Sequence, residues 1–327
     1  MKASLLAIAV ALTAPTQVLA AEGETPSAET IVVTAARITA LQKTAAAEDE
    51  HATSPDGAAF IARQPGAALV DNGALSGQVQ MRGLFGERIA VRINGQHFAT
   101  GGPNAMDPAM HYAPMALIDR VEIARGISPV RDGPGLGGGI NTILKQVGFS
   151  EGNSMAPQAD ISGQYRGVDD SIALGGVIGL ANDTFRIGLI ASQEKGDDTR
   201  FPGGRIATTG YERAVYGVHA GLRAGSGELS LEYRRQETGR SGNPPFAMDI
   251  IYFHTDFVRI GFEGDLADGV RLEAHADYAG VSHRMNNFEL RPAPTTAMTR
   301  QSDTYADTIG ADISLRFGSA SRYVRLG

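Results

Sequence analysis

The residues best suited to chemistry in this sequence are soft donors: the imidazole of His283 and the thioethers of Met285 and Met106. His283 and Met285 stand two apart, in phase with Arg271, Glu273 and Asp277 upstream, so on a strand all five point to one side. If that side lines a lumen, His283 and Met285 can both meet a loop that carries Met106. One imidazole with two thioethers makes a soft site that favours Cu(I) over harder ions. Packing is the competing reading, because a methionine beside a loop commonly fills space and an isolated histidine commonly has no ligand. The chain has no cysteine, which removes disulfides and thiolate metal sites. His97, His111, His254 and His275 are individually less suggestive, although His111-Tyr112 lies near Met106.

Other motifs carry less. Gly133, Gly135 and Gly138 satisfy G-x-G-x-x-G literally, yet Pro134 lies inside the pattern and no clean buried strand leads into it. A tight turn returning the chain to a sheet explains these glycines better. With no G-K-[ST], G-x-S-x-G, H-E-x-x-H or Ser/His/Asp spacing, the chain reads as a non-enzyme with no cofactor of its own. Arg82, Arg88, Glu122 and Arg125 could pass for a catalytic cluster, but a structural set of ion pairs joining domain to wall is the simpler reading. A net charge of −7 and a pI near 5.5, without any basic cluster, set nucleic acid aside as a partner.

Two kinds of structure must position these residues. Residues 78–144 read as a small α/β unit, in which strand-like runs at 79–82 and 88–93 end at Asn94-Gly95 and predict a compact hairpin. In LIDRVEIA, residues 117–124, Ile118, Val121 and Ile123 can face a core, and a Gly-rich turn then leads to the β-branched run 140–144. Residues 36–70 are Ala-rich and partly helical in expectation, divided by a polar linker at 42–54. From Gln158 the period changes to two: Ile161, Gly163 and Tyr165 alternate with polar residues, as do Phe185, Ile187 and Leu189, and Leu229, Leu231 and Tyr233. Further strands are expected within 171–180, 215–223, 257–266, 270–281 and 309–317. Short connections at 181–184, 224–227 and 267–269 alternate with long ones at 192–211, 236–256 and 282–308, the sorting of a membrane barrel rather than a soluble sandwich.

The ordered motifs Arg82-Gly83, Arg88 with Val91 and Ile93-Asn94-Gly95, Ile118-Asp119-Arg120-Val121-Glu122-Ile123, Arg125-Gly126, Ser128-Pro129-Val130 and Gly133 to Ile140 resemble the plug domain of TonB-dependent outer-membrane receptors. The resemblance implies an α+β plug domain followed by antiparallel transmembrane β-barrel strands. The length beyond residue 147 accommodates about eight or nine of the family's ~22 strands, so the chain reads as a truncated product or a fragment with an exposed sheet edge. Within the family, Asn104-Ala105-Met106-Asp107-Pro108, Ala247-Met248-Asp249 and His283-Arg284-Met285-Asn286-Asn287 with Leu290-Arg291 resemble the copper-receptor branch. That branch holds copper with Cys-x-x-x-Met in the plug and His-x-Met on the barrel. Met106, His283 and Met285 match, while Gly102 stands at the Cys position.

The expected organisation is a signal peptide at 1–20, a periplasmic linker at 21–43, the plug at 44–147 and the first part of the barrel at 148–327. Lys2, a short apolar run and Val18-Leu19-Ala20 form the signal peptide, which implies Sec-type export to the outer membrane of a Gram-negative bacterium. No later run is long and apolar enough for a transmembrane helix. Glu29, Thr30, Ile31, Val32, Val33, Thr34 and Ala35 resemble the TonB box, an extended segment suited to adding a strand to a partner's sheet. The expected function is active uptake of a metal ion, copper above all, or a metal chelate, with the TonB energy-transducing complex, outer-membrane lipid and a small ligand as partners. The alternative is a secreted or surface β-rich binding or adhesion protein that transports nothing.

Overall fold

A computed structural model of the chain describes residues 42–46, 56–101, 107–128, 133, 135–292, 295–319 and 322–327. The N-terminal part contains six strands and one short helix: β1 (Gln42–Ala46), α1 (Gly57–Ala62), β2 (Ala67–Val70), β3 (Gln78–Met81), β4 (Ala90–Ile93), β5 (Ile118–Arg125) and β6 (Gly138–Leu144). β1, β5, β6 and β4 form one sheet in that order, with β4 and β6 parallel and the other pairs antiparallel, while β2 and β3 form a separate ribbon. Ile118, Val121 and Ile123 are buried as their spacing requires, in one core with Phe60, Met81 and Ile140. α1 starts at Asp56, whose Oδ1 accepts the Ala58 N–H at 2.8 Å while Oδ2 accepts that of Gly77 at 2.6 Å. A Cβ at position 77 would lie 2.3 Å from that same oxygen, so only glycine lets the two segments meet.

Two expectations for this domain need correction. Asn94 and Gly95 do take positive φ, +51° and +77°, and turn the chain tightly. The strands before them, however, do not pair with each other: β3 pairs with β2, and β4 runs parallel to β6. Local turn chemistry was legible, but β4 finds its partner some fifty residues on, through Asn94 Oδ1 on Leu144 N–H and Asn141 Oδ1 on Gly95 N–H, both at 2.8 Å. Residues 42–46, read as linker, form an edge strand on β5.

The second part is one antiparallel sheet. β7 (Ala156–Arg166), β8 (Ser171–Ala181), β9 (Phe185–Gly196), β12 (Tyr211–Ala224), β13 (Gly227–Thr238), β14 (Asp249–Ala267), β15 (Val270–Asn286), β16 (Gln301–Gly318) and β17 (Tyr323–Leu326) follow one another in sequence order. A small ribbon of β10 (Arg200–Phe201) and β11 (Gly204–Arg205) lies in the loop after β9. β7 and β17 are the two ends of an open nine-stranded sheet, which fits the eight or nine strands expected. The strands run further into the long loops than the alternation suggested, β14 reaching 19 residues.

The faces of this sheet are inverted relative to a soluble domain. Ile161, Leu189, Leu231, Ile260 and Ile313 are exposed, whereas Glu194, Arg213, Arg234, Gln236 and His283 are buried. The register makes the apolar residues continuous: Leu222 faces Leu229, Leu229 faces Phe262, and Leu231 faces Ile260. An apolar surface this extended is a surface for lipid. Toward the long loops it ends in tyrosines whose hydroxyls donate to carboxylates: Tyr165 to Asp170 at 3.1 Å, Tyr216 to Glu237 at 3.2 Å, Tyr233 to Asp256 at 2.8 Å and Tyr278 to Asp307 at 2.7 Å. Toward the short turns it ends in Phe185 and Phe317. No helix among the described residues is long and apolar enough to cross a membrane.

Leu231→Arg, in the middle of the apolar face, is expected to cost about 2–4 kcal/mol of stability in lipid vesicles, while Leu231→Phe stays near wild type. Urea titration of vesicle-inserted chain reads the difference.

Candidate functional site

Two buried constellations join the N-terminal domain to the strand sheet. The first is built on a 3₁₀ turn, Ala109–Tyr112, entered from the extended Pro108. So short a turn leaves carbonyls unpaired, and the sheet supplies donors for them. Arg213 Nη1 donates to the His111 carbonyl at 2.5 Å, Gln236 Nε2 to the same oxygen at 3.3 Å, and Arg234 Nη1 to the Tyr112 carbonyl at 3.2 Å. Arg213 is also paired with Glu194, its Nε 2.8 Å from Oε2 and its Nη2 directed at the same atom. Arg234 lies over the Phe257 ring, 4.4 Å from its centroid. These arginines are buried, so their charges depend on such partners.

The His111 ring belongs to the same joint. Nδ1 is 2.9 Å from the Leu75 carbonyl and Nε2 is 3.0 Å from Thr238 Oγ1. A carbonyl can only accept, so Nδ1 carries the proton and Nε2 accepts from the Thr238 hydroxyl. Burial, aided by the Arg213 charge, depresses the His111 pKa to about 3 and keeps the ring neutral. At Asp56 burial acts the other way and raises the carboxyl to about 6, against the opposing pull of its two backbone N–H donors.

The second constellation contains His283 and Met285 of β15. Both side chains are buried on the face turned to the N-terminal domain, opposite Phe253 and Ile250 of β14. Met285 packs with Ile250 and Phe253, and Met248 and Phe246 lie against that cluster. The His283 ring is tilted 30° to Phe253, with centroids 4.6 Å apart. Among the described residues neither of its nitrogens has a hydrogen-bond partner, although only 1% of the residue is exposed. The acidic group facing it is Asp107, whose Oδ2 is 3.9 Å from Nδ1. That oxygen accepts the Gly101 N–H at 2.8 Å and the Tyr112 hydroxyl at 2.9 Å. Burying an imidazole with neither nitrogen hydrogen-bonded costs free energy.

Of the residues singled out in the sequence, His283 and Met285 come together here. Met106, Gly102 and residues 29–35 lie outside the described residues. His111 has both nitrogens engaged, His254 stacks on Tyr252 at 4.8 Å, and His275 lies 3.9 Å from Glu263. Asp107 and Met248 were missed as neighbours of the pair. Asp107 adjoins Met106 in sequence, which was a usable signal, whereas the approach of Met248 depends on the β14–β15 register. The charge cluster also needs correction. Arg82 and Arg88 are exposed, and Glu122 takes Arg120 and Asn141 within the domain. The domain is tied to the sheet instead by Asn94 to Glu232 at 2.7 Å, Lys145 to Asp160 at 2.6 Å and the Val147 N–H to His219 Nε2 at 2.8 Å.

A cavity of about 1300 Å³ separates the other end of the domain from the sheet, lined by charges that include Arg92, Glu122, Glu232, Arg259 and Glu273. His275 on its wall is eight residues from His283, about 26 Å of strand, so this space is separate from the soft cluster.

A domain with a mixed four-stranded sheet, held by buried polar bonds against the polar face of an antiparallel sheet, has counterparts among known proteins. Residues 25–140 match the family model for the TonB-dependent Receptor Plug Domain. This segment is a TonB-dependent receptor plug domain. Solved structures extend the likeness of fold into the barrel wall. The copper transporter OprC superposes with a TM-score of 0.76 at 20% identity, covering 85% of this chain and 44% of that one. The siderophore receptor PirA from Acinetobacter baumannii gives 0.62 at 14% identity, with 85% and 45% covered. The FrpB iron transporter from Neisseria meningitidis gives 0.64 at 12% identity, with 86% and 46% covered. The chain therefore spans a little under half the length of these structures. No curated protein is similar enough in sequence to match.

The two buried plug groups predict opposed pH dependences. With a folded pKa near 3 against 6.5 unfolded, His111 contributes stability that is complete above pH 6.5 and is lost as pH falls toward 3. Asp56, near 6 folded against 3.8 unfolded, loses stability as pH rises through that interval. Between about pH 4 and 6, Asp56→Asn is expected to make stability fall more steeply on acidification than in wild type, and His111→Gln less steeply, each by up to a few kcal/mol. Urea midpoints measured across that range test both slopes.

Proposed function

We propose that this chain is the plug and the first wall strands of an outer-membrane receptor that takes up a metal ion, Cu(I) in particular, or a metal chelate. The observation that carries the proposal is His283: an imidazole buried between plug and wall, with neither nitrogen bonded among the described residues, sharing a face with Met285. An imidazole and a thioether suit Cu(I), and a second thioether, Met106, is the donor expected from the plug. Gly102 stands where the copper-receptor pattern has a thiolate, so the set proposed here consists of neutral donors. The similarity of fold to a copper transporter supports this choice of cargo.

In this reading the protein catalyses no reaction and copper is its cargo. A signal peptide at 1–20 directs export, a linker at 21–43 carries Glu29 to Ala35 as the strand offered to TonB, and a plug at 44–147 precedes wall strands at 148–327. The outer membrane has no ATP, so the pull that loosens the plug comes from the inner-membrane TonB complex through that strand. The apolar outward face of the sheet fits an outer-membrane location.

The test is Cu(I) binding by the full chain in detergent under reducing conditions, measured against a chromophoric Cu(I) chelator. Wild type is expected to bind below micromolar, and Met106→Ala, His283→Ala and Met285→Ala each to lose that binding. Binding that is absent from wild type, or unchanged in all three variants, would remove copper from the proposal and leave a receptor for another substrate.

A further inference from the structure

The carboxylate behind His283 has no part in the metal set just proposed, yet its position is specific. Asp107 is fully buried, and its Oδ2 is already the acceptor for two plug groups, the Gly101 N–H and the Tyr112 hydroxyl. The first bond ties Gly101 to Asp107, six residues further along the chain. Tyr112 stands edge-on to Phe98 and Phe257 at 5.3 and 5.8 Å, and its carbonyl takes Arg234, so the second bond leads into the plug–wall joint. The same oxygen faces His283 Nδ1 at 3.9 Å, beyond hydrogen-bond reach but with no other partner on that nitrogen among the described residues. The ring is confined on its other sides by Phe253, and by Gly101, where a Cβ would come within 3.6 Å of His283 Cε1.

We propose that Asp107 is a positioning residue for His283: it holds the proton on Nδ1, leaves the Nε2 lone pair for the cargo, and ties occupancy of that nitrogen to Gly101 and Tyr112 of the plug. The inference rests on the metal-receptor reading for its purpose, although not for its geometry. A metal-bound imidazole characteristically donates its other N–H to a carboxylate or carbonyl, which fixes ring orientation and raises ligand basicity. Asp107 is the carboxylate placed to accept here. A cation on Nε2 polarises the ring and strengthens the Nδ1–H donor, which draws His283 and Asp107 from 3.9 Å into a hydrogen bond. Because Oδ2 also holds Gly101 and Tyr112, this third donor tightens the junction between those two plug residues and the wall. Cargo binding is thereby transmitted to the plug without a large displacement.

The experiment uses the full chain in detergent micelles, labelled with ¹⁵N-histidine, with His283→Gln to assign the signal. Wild type without metal is expected to show His283 as the Nδ1–H tautomer, and Asp107→Asn to shift the population toward Nε2–H. The amide oxygen still accepts from Gly101 and Tyr112, so the fold is retained, which an unchanged urea midpoint checks. Cu(I) titration of the same samples is expected to show a 10–100-fold loss of affinity in Asp107→Asn. An Nε2–H tautomer in wild type, or a tautomer indifferent to Asp107→Asn, overturns the inference. An Asp107-dependent Nδ1–H tautomer in a wild-type chain that binds no Cu(I) upholds the positioning role and overturns the copper reading instead.

Discussion

The structure depends on the pairing of Arg213 with Glu194 and the use of that arginine to hold the His111 carbonyl. Wall and plug each bring polar groups to their contact, and neither could bury them alone. An arginine taken out of water costs several kcal/mol unless its charge and its N–H groups are met. Glu194 meets the charge, and the carbonyl at the end of a 3₁₀ turn meets a further N–H. The plug turn is correspondingly short of donors and obtains them from two wall strands, β12 and β13, while Glu194 of β9 accepts from Arg213 and holds it in place. Each part therefore completes the hydrogen bonding of the other. Such a joint is directional, unlike an apolar contact of equal area, and it fixes the height of the plug along the strands. The position of His283 relative to Asp107 follows from that height.

The same principle accounts for the two-faced sheet. Every second residue of the wall is assigned to lipid or to the plug, and the assignments cannot be exchanged without a shift of register that would invert a whole strand. Polar residues such as Gln236 and Thr238 are tolerated within because the plug supplies partners for them. Apolar residues such as Leu231 and Ile260 are tolerated outside because no water is required to meet them.

What the sequence disclosed follows from range. The alternation of Ile161, Gly163 and Tyr165, or of Leu229, Leu231 and Tyr233, is a property of neighbours and was legible, as were the positive-φ turn at Asn94-Gly95 and the core face of residues 118–123. The parallel pairing of β4 with β6, the edge strand 42–46 and the hold of Arg213 on His111 each join residues far apart in the chain, and no local pattern encodes them. For the candidate site, the i, i+2 spacing of His283 and Met285 placed them on one inner face. That neither His283 nitrogen finds a partner among the described residues could not be read, because it depends on which groups of distant segments come to face the ring.

The tyrosines at the rim of the apolar face bear on how the wall sits in a bilayer. A tyrosine at a membrane boundary ordinarily seeks its own depth, its ring in the acyl region and its hydroxyl among the headgroups. In Tyr165, Tyr216, Tyr233 and Tyr278 the hydroxyl is already bound to a carboxylate of the protein. These rings cannot follow the lipid without breaking that bond, so the boundary they mark moves only with the strands. A thinner or thicker leaflet must then be met by tilting the wall or deforming the lipid beside it. His283 and Met285, carried on the same strands, keep their distance from that boundary however the lipid beside it deforms.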